Sequence, residues 1–374
     1  MNRITIDLDA LGYNLKAVRN WTENHGAGLT VVTKALCGHR ESLAGLKDLG
    51  VESMSDSRLD NLEMIKEVAP DVETWYLRPP HSSGLQDIVR LADVSLNTEL
   101  QTVKDLNEEA VGQGKVHRVV VMIELGDLRE GILPGRLLHT YQEIFELPNI
   151  EVLGIGANLG CLGGIVPSID QFMQLALYRE LLELKFERKL PTISAGSSSS
   201  LPLLLEGRLP KHINHFRVGE SIFLGTDLIH GGTLGGLRDD VVHLDAEIVE
   251  IKEKGMVPMG ETADVAPFQP INGEEQEDQD PGQRGYRAIL AVGQVDADVS
   301  GLTPLNSSYR IVGASSDLTV VNVGEERGSV TVGDMISFRV AYSSFVRLMA
   351  NPYTEKRVLH ARSSMPQERQ EQHS

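Results

Sequence analysis

Thr30-Val31-Val32-Thr33-Lys34-Ala35-Leu36-Cys37-Gly38-His39-Arg40 joins an apolar, β-branched run to a glycine turn. The run from Leu29 to Thr33 reads as a buried strand that delivers Lys34 to its C-terminal end, and a helix begins near Glu41. Desolvation at the mouth of a buried parallel strand lowers the pKa of an ammonium and makes the amine usable as nucleophile or base. The structural alternative is a strand-end lysine that snorkels to solvent.

Outward from this stretch, short apolar strands alternate with amphipathic helices. Strands are expected near Leu29–Thr33, Glu52–Ser55, Thr74–Leu77, Val94–Leu96, Arg118–Glu124, Glu151–Ala157, Thr192–Ala195 and His215–Val218. Helices are expected at Arg58–Val68, Leu85–Leu91, Glu99–Val111, Leu137–Glu146, Ile169–Phe186 and Leu201–Glu206. Eight βα units within about 200 residues predict an α/β fold, a closed (β/α)8 TIM-type barrel, over an open sheet. Residues 1–7 alternate as a strand apart from the series, and Asp7 can cap a helix from Leu8 to about Asn24. After Gly225 the period changes to two, in Val241–Lys252, Ala288–Val292, Tyr309–Val312, Thr319–Val323 and Met335–Ala341. This predicts a C-terminal all-β domain. The expected division is a barrel over 8–228, a β domain from 1–7 and 229–360, and a disordered tail over 361–374. Phe268–Tyr286, with Glu274, Glu275, Glu277, Asp278 and Asp280, reads as a solvated acidic loop.

The totals bound the function. A net charge of -18 argues against nucleic-acid or anionic-membrane partners. No run approaches the roughly 18 apolar residues of a membrane span, and the N-terminus lacks a signal-peptide core, so a cytoplasmic protein is expected. Two cysteines, Cys37 and Cys161, make no disulfide framework. His39, His215 and His230 form no pair at metal-ligand spacing, so no metal is assigned.

In a barrel of this kind the reactive groups sit at the C-terminal strand ends. Lys34, Arg129, Asn158, Ser197 with Ser198, and Arg217 all fall there. Ile193–Pro202 places hydroxyls between a strand and a helix, which suits an anion as well as an ordinary serine cap. Phe216–Ser221 ends the next strand with Gly219, where the backbone can approach a ligand closely. Two adjacent anion-friendly turns late in the barrel match the usual phosphate site of this architecture. Arg129 could instead be a surface ion-pair partner of Asp127 or Glu130. In the β domain, Asp296, Asp298 and Asp317 lie at hairpin ends, where aspartate is commonly a turn former.

Five ordered motifs, Val31–Cys37, Gly126–Gly131, Arg217–Ser221, Ala288–Gln294 and Gly313–Asp317, resemble the alanine racemase superfamily of fold-type III pyridoxal-phosphate enzymes. The resemblance runs over roughly residues 3 to 359 and is nearest the alanine/ornithine racemase subgroup. It implies that Lys34 holds pyridoxal 5'-phosphate as a Schiff base and shuttles the substrate α-proton on one face. Arg217 would point at the pyridine nitrogen and keep it unprotonated. Ser198, the backbone N–H groups of Gly219 and Glu220 and the Tyr342 hydroxyl would bind the phosphate, with Ser197 beside it. Arg129 would approach the cofactor phenolic oxygen or the substrate carboxylate.

The departures are equally specific. Where family members carry the tyrosine that serves as second base, this chain has Gln294, and an amide cannot abstract a proton. Asn158 replaces the histidine that supports the cofactor ring. Asp296, Asp298 and Cys161 are the candidates for the second base, and Asp296 is taken as catalytic. Gln294 and Asp317 are placed against the substrate, with Asp317 binding a distal ammonium and so selecting a basic amino acid such as ornithine. The resemblance also implies a homodimer with shared sites. Alanine, serine or lysine racemisation, a decarboxylation on the same fold, or a cofactor carrier without turnover are the alternatives.

Overall fold

The computed structural model describes residues 2–160, 162–256 and 282–360. Cys161, the acidic residues between 274 and 280 and the 361–374 tail lie outside the described residues. The chain opens with strand β1 (Arg3–Asp7) and helix α1 (Leu8–His25). Asp7 makes the joint between them, its carboxylate accepting from the N–H groups of Asp9 and Ala10 at 2.9 Å each.

Eight parallel strands then close a barrel: β2 (Gly28–Val32), β3 (Ser53–Asp56), β4 (Glu73–Tyr76), β5 (Val94–Asn97), β6 (His117–Met122), β7 (Ile150–Gly156), β8 (Thr192–Ser197) and β9 (His215–Val218). Closure is direct, with β2 pairing β9 from Gly28 opposite His215 to Val31 opposite Val218. The helices between them are α2 (Arg40–Asp48), α3 (Leu59–Val68), α4 (Leu85–Leu91), α5 (Leu100–Gly112), α6 (Leu137–Ile144), α7 (Ile169–Phe186) and α8 (Leu201–Leu205), with α9 (Glu220–Leu224) after β9. Their apolar faces bury Leu62, Ile65, Leu106, Phe172 and Leu175 against the strands. Gly154 is needed for the β7–β8 contact, because a Cβ there would stand 1.8 Å from the Thr192 carbonyl oxygen.

The remaining chain forms β10 (Val242–Gly255), β11 (Arg284–Leu290), β12 (Leu302–Pro304), β13 (Arg310–Ala314), β14 (Thr319–Gly324), β15 (Met335–Val340), helix α10 (Tyr342–Ala350) and β16 (Glu355–Leu359). The sheet runs β12-β15-β10-β11-β14-β13, and β1 joins it between β10 and β16. The long β10 organises it. Its first half pairs with β1 and β15, and after an irregularity between Ile248 and Glu250 its second half pairs with β11. Beyond the short β12 and α9, which were not expected either, three features depart from the sequence reading. The acidic loop ends before Tyr286, because Arg284, Gly285 and Tyr286 already pair with Gly255, Lys254 and Glu253. Helix α10 and strand β16 were not expected. In α10 the helical spacing of Phe345, Leu348 and Met349 follows directly on a period-two strand, so the change of period is short and has no side-chain cap to mark it.

Candidate active site

Lys34 begins a single 3-10 turn, Lys34–Leu36, directly after β2. The residue before it is tied down. Thr33 donates its N–H to the Ser55 carbonyl at 2.8 Å and its hydroxyl to Asp56 at 2.9 Å. Asp56 also accepts from the N–H groups of Ser57 and Arg58 and from the Asn61 amide. Burial nevertheless raises its pKa above the ordinary carboxylate value, against those hydrogen bonds. The Lys34 amine projects outward, 5.9 Å from the ring centre of Tyr342 at the start of α10. Burial, with the Glu220 and Asp56 carboxylates adding to it, holds the Tyr342 phenol well above its usual range, so it is a neutral hydroxyl. Burial also raises Glu220, while Lys34 pulls it the other way.

Arg217, on β9, is 6% exposed. Its Nη1 donates to the carbonyl oxygen of Ser194 at 2.7 Å and to that residue's hydroxyl. Its Nη2 donates to the Ala157 carbonyl at 3.1 Å and to Asn158 Oδ1 at 2.6 Å. The other end of the Asn158 amide donates to Glu130 Oε1 at 2.5 Å. Glu130 in turn pairs with Arg129 through both carboxylate oxygens. One buried and one half-exposed guanidinium are thereby joined through an amide and a carboxylate. Of the two partners expected for Arg129, Glu130 is engaged. The turn that carries them is wound around Glu124, whose carboxylate accepts from the N–H groups of Gly126, Leu128 and Arg129.

The serine run sits between β8 and α8. Ser198 is buried and its hydroxyl accepts from the N–H of Ser221 at 3.3 Å. Ser197 and Ser199 share a hydroxyl contact of 2.8 Å. Gly219 is buried beside them, and a Cβ on it would meet the Val32 carbonyl oxygen at 2.9 Å, so no larger residue fits against the end of β2. Lys34, Arg129, Glu130, Asn158, Ser197 and Arg217 line one cavity of about 450 Å³ at the C-terminal mouth of the barrel. Ser57 and Arg78 line it too. Neither was singled out in the sequence, although Arg78 follows a predicted strand directly and that position was a readable signal.

The β-domain residues are brought together with each other and not with that cavity. The Gln294 N–H donates to the Ser315 carbonyl and the Val295 N–H to that of Ser316, which joins the two hairpin ends. Asp296 accepts from the Gly293 N–H at 3.0 Å and from the Asn351 amide at 2.8 Å. Asp317 is exposed and accepts from the Ser316 hydroxyl at 2.5 Å. Gln294, Asp296 and Asp317 are absent from the lining of their own chain's cavity. Asp298 is held by the Ser300 and Ser343 hydroxyls, which keep its carboxyl below its ordinary range. Among the described residues, no group of three or more histidine, cysteine, aspartate or glutamate side chains is arranged to hold a metal ion, and no helix is long and apolar enough to cross a membrane.

Comparison with known proteins identifies the family and the fold. Over 358 residues the chain is 38% identical to ornithine racemase of Acetoanaerobium sticklandii, covering 96% of this chain and 99% of that protein. It is 30% identical to lysine racemase of Thermotoga maritima over 95% of this chain and 97% of that one. Among solved structures, alanine racemase from Bartonella henselae with covalently bound pyridoxal phosphate superposes with a TM-score of 0.72 at 16% identity, over 96% of this chain and 99% of that one. Residues 6–227 match the alanine racemase N-terminal domain, and the chain belongs to the alanine racemase family.

Proposed function

We propose that this protein is a pyridoxal-phosphate-dependent amino-acid racemase whose first substrate is ornithine, with lysine next. The observation that carries the reading is the convergence of Lys34, Arg129, Asn158, Ser197 and Arg217 on one cavity, in a chain 38% identical to an ornithine racemase. The residues fit the cofactor. Gly219 packs too closely on Val32 to carry a Cβ, which leaves a bare backbone at the head of α9, and the Ser198 hydroxyl already takes an N–H from Ser221 beside it. Bound there, pyridoxal phosphate supplies an electron sink that acidifies the α-carbon of an amino acid.

The chain's own groups divide the work. Lys34 would hold the cofactor through its amine, and the same nitrogen takes or returns the α-proton on one face. Arg217 is a donor only and stays charged, so it would face the ring nitrogen without surrendering a proton. Ser198, the backbone at Gly219 and Glu220 and the neutral Tyr342 hydroxyl would take the phosphate, with Ser197 adjacent. Arg129, fixed by Glu130, would meet the phenolic oxygen or the substrate carboxylate, and Asn158 would support the ring edge.

Racemisation needs a second group on the opposite face. Asp296 is proposed for it, presented by a second copy of the chain together with Gln294 and Asp317, because none of these reaches its own chain's cavity. Two hydrogen bonds occupy only part of the acceptor capacity of a carboxylate, which has about four lone-pair sites. The test is incubation of the cofactor-loaded protein with L-ornithine in deuterated water. D-ornithine labelled at the α-carbon is expected to accumulate. Deuterium in L-ornithine with no D-product would mean that only one face is served and that the reaction is not racemisation. An ornithine sample left unchanged, beside a basic or small amino acid that does invert, would move the substrate elsewhere.

A further inference from the structure

The barrel interior beneath Arg217 carries a continuous file of polar groups. The Ser194 hydroxyl that accepts from Arg217 also lies 2.8 Å from Nδ1 of His215. Nε2 of His215 lies 3.0 Å from the Thr30 hydroxyl, which is 2.8 Å from that of Ser53. Ser53 reaches Glu73 Oε2 at 3.3 Å. Glu73 is the first residue of β4, so it stands at the N-terminal mouth of the barrel, opposite the cavity. There it pairs with Arg118 at 2.9 Å. Trp75 donates to the same carboxylate at 2.7 Å and stacks on the His215 ring at 4.4 Å, 12° from parallel. Thr30 and Ser194 are fully buried, which keeps water from the inner links, while Ser53 and Glu73 at the outer end are half-buried.

The two ends fix the direction. A guanidinium only donates and a carboxylate only accepts. Ser53 therefore gives its proton to Glu73, Thr30 gives its proton to Ser53, and Nε2–H of His215 donates to Thr30. Ser194 accepts from Arg217 and has its own proton left for Nδ1. Burial, with the Arg217 charge beside it, holds His215 down to about 3, so the ring is neutral and Nδ1 is an acceptor. One tautomer and one proton arrangement satisfy every contact.

We propose that this one-way hydrogen-bond chain, Arg217 to Ser194 to His215 to Thr30 to Ser53 to Glu73, fixes the orientation of the Arg217 guanidinium from the far side of the barrel, with His215 as its central positioning residue. Its effect on turnover rests on the reading that Arg217 faces the cofactor ring. The chain itself does not.

The test reads both. In the purified full-length protein, 15N spectra of the imidazoles, with His215 assigned by its loss in His215→Asn, are expected to show Nδ1 unprotonated and Nε2 protonated at neutral pH. Thr30→Val keeps the side-chain shape and cuts the middle link. It is expected to release the tautomer preference and to lower kcat about tenfold while KM stays within about twofold, and Thr30→Ser should restore both. Glu73→Ala removes the acceptor at the outer end and frees the Ser53 hydroxyl to point inward, so it is expected to mix the two tautomers even if Thr30→Val folds poorly. A charged His215, or a proton on Nδ1 in the unaltered protein, overturns the chain. The stated tautomer with an unchanged kcat in Thr30→Val overturns its positioning role. If Arg217→Lys is also as active as the parent, the error lies in placing Arg217 against the cofactor.

Discussion

Asp317 offers an exposed carboxylate at a hairpin end, where it accepts from the Ser316 hydroxyl. A charge-assisted bond from a substrate's distal ammonium is worth about 1.5–3 kcal/mol. Asp317→Ala is therefore expected to raise KM for ornithine by about tenfold or more and to leave KM for alanine nearly unchanged, as steady-state assays with both substrates would show. Equal effects on the two would remove Asp317 from substrate selection. At this scale the sequence was informative where chemistry and strand position coincide. Lys34 follows the β-branched strand β2 and Arg217 stands near the end of the short β9, and the cavity gathers both. The Glu130–Asn158 link was not legible, because the two residues are 28 positions apart and meet only when neighbouring strand ends do. The His215 file was hidden for a related reason. A histidine and three hydroxyl residues on separate strands look like ordinary strand residues until the barrel closes and faces them inward.

The strands of the barrel depend on such interior polar contacts. His117 opens β6, and its Nε2 lies 2.8 Å from the Ser95 hydroxyl of β5. Burial, with the charges of Arg118 and Lys115 adding to it, lowers its pKa from 6.5 to about 4. As pH falls below 6.5 the unfolded chain takes up a proton that the folded barrel refuses until about 4, so stability present above 6.5 is lost across that interval and levels off beneath it. The loss is on the order of a few kcal/mol. The urea midpoint should thus drop more between pH 7 and pH 4.5 in the parent than in His117→Gln, which cannot be protonated. Identical pH slopes in the two proteins would show that His117 is not the group responsible. The barrel elements themselves were legible because each strand is a compact apolar run and each helix buries one stripe. Helix α7 shows it well, with Phe172, Leu175 and Leu182 inward and Ser168 capping it through Gln171. The β domain was less so. Its strands pair out of sequence order, β1 lies about 240 residues from its partner β10, and no local pattern announces such a contact.

At the scale of the molecule, the cavity and the hairpin ends proposed to complete it belong to the same chain but stay apart within it. Exposed apolar side chains lie in both places. Leu128 and Leu162 are 82% and 66% exposed in the turns after β6 and β7, and Val295 is 67% exposed beside Gln294. A two-fold dimer that set each β domain over the other's barrel mouth would cover both patches at once and bring Asp296 to the face opposite Lys34. Sedimentation should then give twice the 41.0 kDa chain mass. Complementation is the sharper check, because Lys34→Ala disables the barrel half of a site and Asp296→Asn the β-domain half. In a hybrid dimer one site collects both lesions and the other neither. Random mixing makes half the dimers hybrid, so unfolding and refolding the two inactive variants together should recover about one quarter of the parent activity. If each site were built within a single chain, every site in the mixture would carry one lesion, and mixing would recover nothing.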